Sequence, residues 1–428
     1  MIDVIGTDAG APGSLTQAVQ ALVKQANVIA APRRMLPALE QWLGQSPSMS
    51  RRCITSDDPI ALSQSLSELD RELHAVVLAS GDPLWFGIGR ILIERLDRER
   101  LRFHPAPSSM QLAYARLGTP WQNAEWISLH GREPSPLAHR LQHRPQSLAV
   151  LTDPSRGGVE EVRQILRSSG LEASYALWLC EGLGHDDERV QCLRPGEPTP
   201  DDLNPLHIVV LLAKTPCRPT PESLPLFGLD DGLYLQHQDR PGLMTKREVR
   251  IQLLAELQLP GQGVLWDLGA GTGSIGLEAL RLQPQLQLIA VERRSGGADL
   301  IEANARRLGV QPSTVLETDA LKVLQQLPAP DRVLLGGGGR QRALLLQGVL
   351  DRLNSGGVVV VPLATVEAMA ELKPLLESAG MGVQVTQHQA WRGQPLADGT
   401  RLSPMNPVLI LKGTKPPRCP SESTPLHP

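Results

Sequence analysis

Past residue 260 the apolar positions gather into short runs, VLWDL, LQLIAVE, STVLETDA, DRVLLG and GGVVVVPLA. Runs of that length without polar alternation are the pattern of strands buried on both faces of a sheet. Between them ADLIEANARRLG, stopped by Gly309, and RALLLQGVLDRLN repeat at helical spacing. Ahead of the first run, TKREVRIQLLAEL puts Val249, Leu253, Leu254 and Leu257 on one helix face. Strand and helix in alternation predict a parallel, doubly wound α/β sheet. The last apolar segments, GVQVTQHQ and PVLILKG, have no helical pattern between them, so they are expected to pair antiparallel at one edge and complete seven strands. The first half alternates too: MIDVIG, NVIAAP, HAVVLASGDP, SLAVLTD and HIVVLLA read as the strands of a second α/β unit.

Proline marks the seams. Pro216, Pro219, Pro221 and Pro225 fall within KTPCRPTPESLP and stop both helix and central strand. The expected organisation is a domain over 1–214, a linker over 215–225, a domain over 226–412, and a disordered Pro-rich tail over 413–428.

Composition narrows the function classes. At 428 residues the chain exceeds one compact core. A net charge of −3 shows no global basic excess, so no nucleic-acid partner is expected. No run approaches a membrane span, and MIDVIGTDAG lacks the features of a signal peptide, so a cytoplasmic protein with no membrane partner is expected. The five cysteines are scattered without a C-x-x-C pair and read as reduced thiols. His139 and His143 stand four apart, but no Glu follows His139 and no third ligand is evident, so no metal site is expected.

The chemistry concentrates in LWDLGAGTGSIGLE. Gly271, Gly273 and Gly276 match the G-x-G-x-x-G spacing of a dinucleotide site, while Asp267 through Gly273 spell the D-x-G-x-G-x-G loop of an S-adenosylmethionine (SAM) methyltransferase. Both ligands use a glycine loop after the first strand to approach backbone N–H groups. Glu292, ending the second strand, can accept from ribose hydroxyls in either case. Asp267 favours SAM, whose amino group and sulfonium are cationic where a dinucleotide has a pyrophosphate. Asp319-Ala320 adds a polar edge for an adenine at the end of the third strand. Gly336, Gly337, Gly338 and Gly339 follow the fourth strand and leave the backbone open to a flat substrate. That loop lacks the Asn-Pro-Pro-Tyr-like segment of many N-methyltransferases; Asn406-Pro407 comes too late in the chain and reads as a turn into the last strand.

MTKREVR, WDLGAGTGSIGLEALR, VERR, DRVLLGGGG and WRGQPLADGTRLSPMNPV together resemble the decarboxylating C15-methyltransferases of corrin biosynthesis, over nearly all of 226–412. The resemblance implies a Rossmann-like class I fold with a SAM site lined by Thr245, Gly269, Ala270, Gly271, Thr272, Gly273, Glu292 and Ala320.

Upstream, VLASGDPLWFGIGRIL places Ser80, Gly81, Asp82 and Pro83 after an apolar strand, a loop able to present backbone groups to a ligand. With PAPSSMQLAYARLGTPWQ, which carries Ser108 and Ser109, and ISLHGR, it resembles the tetrapyrrole methylase superfamily from Met1 to about Lys214. The first loop departs from that superfamily's G-x-G-P-G: it reads Gly6-Thr7-Asp8-Ala9-Gly10. Two methylase-like halves in one chain resemble the decarboxylating C5,15-methyltransferase family. This implies SAM in both halves and one small-molecule tetrapyrrole substrate, a precorrin or cobalt-precorrin, methylated at C5 by the first half and at C15, with loss of the ring C acetate carboxyl, by the second. Such a substrate bears several carboxylates, for which Arg132, Arg392 and Arg401 are the candidate partners, beside the Gly337-Gly338 loop. A homo-oligomer is expected. The rival readings are an rRNA methyltransferase, which would need a basic face, and a first half that only docks substrate because its altered loop holds no SAM.

Overall fold

The computed structural model describes residues 1–7, 15–44, 51–130, 134–337, 339–396 and 399–417. Asp8 to Gly10, Arg132, Gly338, Cys419 and the tail from residue 418 lie outside the described residues.

Five parallel strands form the first sheet: β1 (Ile2–Thr7), β2 (Val28–Ala31), β3 (Arg52–Thr55), β4 (Ala75–Ser80) and β5 (Leu101–His104), ordered β3-β2-β4-β1-β5. The second, mixed sheet comprises β6 (Glu125–Ser128), β7 (Ser147–Leu151), β8 (Tyr175–Glu181), β9 (Arg189–Leu193) and β10 (His207–Ala213), ordered β6-β7-β10-β8-β9. In the third sheet β11 (Gly263–Leu268), β12 (Leu286–Glu292), β13 (Thr314–Glu317), β14 (Arg332–Leu335) and β15 (Val358–Leu363) run parallel. β16 (Gly382–His388) then leads into a separate hairpin, β17 (Trp391–Leu396) and β18 (Gly399–Pro404), before β19 (Val408–Thr414). The order is β13-β12-β11-β14-β15-β19-β16, with β19 antiparallel to both neighbours. The seven strands and their antiparallel edge are those the sequence predicts.

Alternation along these strands fills two cores. Leu265, Leu288, Ala290, Val358 and Val360 face one, with Leu253, Leu254 and Leu257 of the helix Arg247–Leu257. Trp266, Leu268, Ile289, Val291, Val359 and Val361 face the other. A strand buried on both faces can therefore be apolar throughout, each such side chain contributing about 1.5–3 kcal/mol on burial. Trp266 is fully buried, and its indole N–H donates to the Pro328 carbonyl at 3.1 Å.

The chain divides into two compact units, and the division differs from the single seam expected at the prolines. Unit one holds 1–132, 146–160 and 176–212; unit two holds 133–145, 161–175 and 213–428. Within unit two the buried guanidinium of Arg144 explains part of the reassignment, since it donates to Ser174 Oγ at 3.2 Å and to the Asp231 carbonyl. The Pro-rich stretch is likewise bound to its unit. Arg281 donates to the Pro221, Leu224 and Pro225 carbonyls, and Arg307 to those of Pro216 and Cys217. The tail also begins later than expected, because Gly413 and Thr414 belong to β19 and Lys415 donates to the Leu353 carbonyl at 2.6 Å.

Candidate functional site

In the third sheet the strand order reverses between β11 and β14, so their loops diverge and leave a crevice at the carboxyl ends. A cavity of ≈ 550 Å³ lies there, walled by the loops after β11, β12, β13 and β14 together with residues 242–246 and 405–406. This is within the size range of small-molecule sites.

Glycine builds it. Gly269 has φ +79°, and a Cβ on it would lie 2.8 Å from both Cα and N of Gly337. The loops after β11 and β14 thus touch backbone to backbone, and part of what the sequence presents as an open substrate wall is room for Gly269. Gly276 is the third glycine of the spacing: a Cβ there would sit 2.9 Å from Asp267 Oδ2, while its amide donates to that oxygen at 3.1 Å. Gly273 is not among the cavity's lining residues. It caps the helix Ser274–Leu282 at φ +77°, where a Cβ would meet Ile301, so its role is packing.

Among the described residues three acids line the cavity. Asp267 is 2 % exposed. Desolvation, aided by the nearby Glu292 charge and opposed by the Gly276 amide, pushes its pKa up to about 7. Glu292, which lines the cavity, accepts from Gly271 N at 2.8 Å and Arg294 N at 3.0 Å, one on each oxygen, so each oxygen keeps further acceptor capacity. Asp319 caps the turn Ala320–Lys322, accepting from Leu321 N at 3.0 Å and presenting Ala320 to the cavity.

Of the other residues singled out in the sequence, Thr245, Gly269, Ala270, Gly271, Thr272, Gly336 and Gly337 line the same cavity. Arg392 and Arg401 are not among its lining residues. Arg392 Nε and Nη2 each donate to the Glu248 carboxylate at 2.8 Å, Nη1 donates to the Ser169 carbonyl, and Asp231 stands 3.6 Å away. A guanidinium so engaged is a structural clamp, which corrects its assignment to substrate. Arg401 lies on β18, opposite Gln394. Asn406, read as a turn, does precede β19 but also lines the cavity.

Sequence reasoning missed Lys246 and His237, both cavity residues. Burial, with Arg144, Arg392 and Arg250 nearby and Asp231 opposing, lowers the Lys246 pKa to about 8. The motif also hides a strut. Arg250, with no exposed surface, donates to Glu278 at 3.0 Å, Asp231 at 2.6 Å and the Thr245 carbonyl at 2.7 Å. Glu278 further accepts from Tyr234 Oη and Gly228 N. This network fixes the chain that carries Thr245 and Lys246 into the cavity wall.

Unit one brings its own glycine loops together. A Cβ on Gly6, in β1, would run into the Gly81 carbonyl after β4 and lie 2.8 Å from Ala106 N after β5. Gly81 has φ +64° and packs on Pro107 and Ser108. Asp82 accepts from Leu84 N at 2.8 Å, and the Pro83 carbonyl accepts from Gly89 N at 2.9 Å. Ser108 caps the helix Ser109–Leu117 in a reciprocal pairing with Gln111. Gly81 to Pro83 and Ser108-Ser109, distant in sequence, thus converge at the ends of β4 and β5, the two strands that flank β1.

A doubly wound sheet with a D-x-G-x-G-x-G loop at its switch point, an acid after the second strand and a second glycine loop after the fourth defines a class I, Rossmann-like methyltransferase. Two family models match the chain: tetrapyrrole (corrin/porphyrin) methylases over residues 1–194 and a precorrin methyltransferase domain over 236–415. A precorrin-6Y C(5,15)-methyltransferase [decarboxylating] from Sinorhizobium sp is 35% identical over 342 residues, 79% of this chain and 80% of the relative. A probable cobalt-precorrin-6B C(15)-methyltransferase (decarboxylating) from Pyrobaculum aerophilum is 35% identical over 186 residues, 43% of this chain and 94% of that protein. A crystal structure of a precorrin-6y C5,15-methyltransferase from Geobacter metallireducens has 31% identity and a TM-score of 0.42, covering 45% of this chain and 100% of that one. The chain belongs to the precorrin-6Y C(5,15)-methyltransferase (decarboxylating) family, and it is a methyltransferase. Among the described residues no helix is long and apolar enough to cross a membrane.

Proposed function

We propose that the chain is a bifunctional, SAM-dependent C-methyltransferase of cobalamin biosynthesis. Unit one methylates C5 of a precorrin or cobalt-precorrin; unit two methylates C15 and releases the ring C acetate carboxyl as CO2. The enzyme is a cytoplasmic homo-oligomer acting on a small tetrapyrrole, with no nucleic-acid or membrane partner.

The supporting observation is the cavity at the β11–β14 switch point, where the residues fit SAM. Gly269 and Gly271, both at positive φ, form a cradle free of side chains. Asp267 is a carboxyl suited to an ammonium, and Glu292 retains acceptor capacity for ribose hydroxyls. When bound, SAM supplies an electrophilic methyl group. The protein's part is to hold donor and ring carbon in line and exclude water. The conjugated macrocycle accepts the electron pair left by CO2, and uptake of one proton completes the methyl group that replaces the acetate, so no strong base is required. Lys246, half-buried in the cavity wall, provides a cation for a substrate carboxylate.

The test is calorimetric titration of SAM into the whole chain, followed by mass analysis of precorrin product. Two SAM per chain and a product with two added methyl groups and one CO2 lost are expected. One SAM and one methyl group would favour a docking role for unit one, and absence of SAM binding would overturn the reading.

A further inference from the structure

The cavity of unit two contains a polar atom with unused hydrogen-bonding capacity. His237 is 7 % exposed and lines the cavity, and its Nε2 has no partner among the described residues. Leaving a buried imidazole nitrogen unpaired is costly, and a ligand hydroxyl can recover that cost.

Its surroundings identify the ligand group. Gly297, at the start of the helix Gly297–Leu308, lacks a side chain where one would lie 2.6 Å from Glu292 Cγ and 3.9 Å from His237 Cε1. Glu292 and His237 therefore flank one place. Glu292 supplies acceptors, and an imidazole Nε2 donates or accepts according to tautomer. Two adjacent groups of that kind suit a vicinal diol. The backbone carrying His237 is also held firmly. Asn304, fully buried, accepts from Leu235 N at 2.8 Å and donates to the Leu235 carbonyl at 3.2 Å and the Thr272 carbonyl at 2.9 Å. One amide thus ties the approach to His237 to the glycine loop itself.

We infer that His237 reads a ribose hydroxyl of the nucleoside ligand through Nε2, alongside Glu292. This rests on the proposed SAM site. The probes are S-adenosylhomocysteine and its 2′-deoxy and 3′-deoxy counterparts, titrated by calorimetry into the whole chain. His237→Phe, which keeps the volume and removes the nitrogen, should weaken S-adenosylhomocysteine about tenfold. It should change the affinity of one deoxy ligand less than about twofold, because the hydroxyl it served is already missing. His237→Gln, which keeps an N–H, should recover most of the loss. Equal affinity of His237→Phe and the parent chain for S-adenosylhomocysteine would overturn the inference. So would an equal loss across all three ligands, which would mark His237 as packing only. If the parent chain bound none of the three, the SAM reading itself would fall, a result distinct from failure of the variant alone.

Discussion

Replacing Asp267 by Asn separates the stability of the site from its use. The carboxyl is held under the glycine loop with one amide, from Gly276, so burial pushes its pKa from 3.8 up to about 7. That rise corresponds to about 4 kcal/mol between the two protonation states. A carboxyl whose folded value lies above its unfolded one contributes stability that is fully present below the unfolded value. The contribution disappears as pH rises through the folded value. Between about pH 4 and about pH 7 the fold therefore loses up to about 4 kcal/mol through this residue. Asp267→Asn is neutral throughout and still accepts from the Gly276 amide. Urea unfolding at pH 8 should show the variant more stable than the parent by up to about 4 kcal/mol, with the gap closing toward pH 4. Its affinity for SAM at pH 7.5 should fall about tenfold or more, since a neutral amide attracts an ammonium less than a carboxylate does. A variant less stable than the parent at pH 8, or one that retains full SAM affinity, would refute the reasoning.

Other substitutions probe other parts. Arg250→Met should destabilise unit two by about 3–5 kcal/mol, measured by denaturant unfolding, because Glu278 would keep a buried charge without its cationic partner and Asp231 would keep only the more distant Arg392. Gly6→Ala should reduce C5 methylation at least about tenfold while leaving the C15 product intact by mass analysis, since the new Cβ would press on Gly81 and Ala106. Asp3, in unit one, is raised by burial but lowered more by His104 and His74, each 2.7 Å away, so its net pKa lies below the ordinary value. Its contribution is present above about pH 4 and lost as pH falls through the lowered folded value. Asp3→Asn should accordingly cost about 2 kcal/mol at pH 7, with the difference from the parent vanishing in acid.

Elements whose cause is local were legible in the sequence. LQLIAVE and HIVVLLA became strands at those very residues, Leu286–Glu292 and His207–Ala213, because runs apolar on both faces have few alternative fates. Arg52–Thr55, Leu101–His104 and Glu125–Ser128 carry mixed, partly exposed side chains, and only their neighbours make them strands. The hairpin Trp391–Leu396 and Gly399–Pro404 was hidden for the same reason. In the site, the glycine loop and its acids were readable because their roles belong to the backbone near them. Arg392 was misread because Glu248, which binds it, lies 144 residues earlier. His237 was missed because it sits in an irregular stretch, where no periodicity separates a cavity wall from a surface turn.

The position of β19 has a consequence for synthesis. Among the described residues it is the last strand in the chain, yet it lies between β15 and β16, and through Val383 to Gln387 it supplies β16's register with the sheet. While the chain is emerging, β16 has no neighbour and the edge of β15 stays open, an exposed template of the kind that invites mispairing. The second unit therefore closes its sheet only after residues 408–414 are available. A ribosome paused over the intervening hairpin would hold an unfinished catalytic domain with its aggregation-prone edge uncovered.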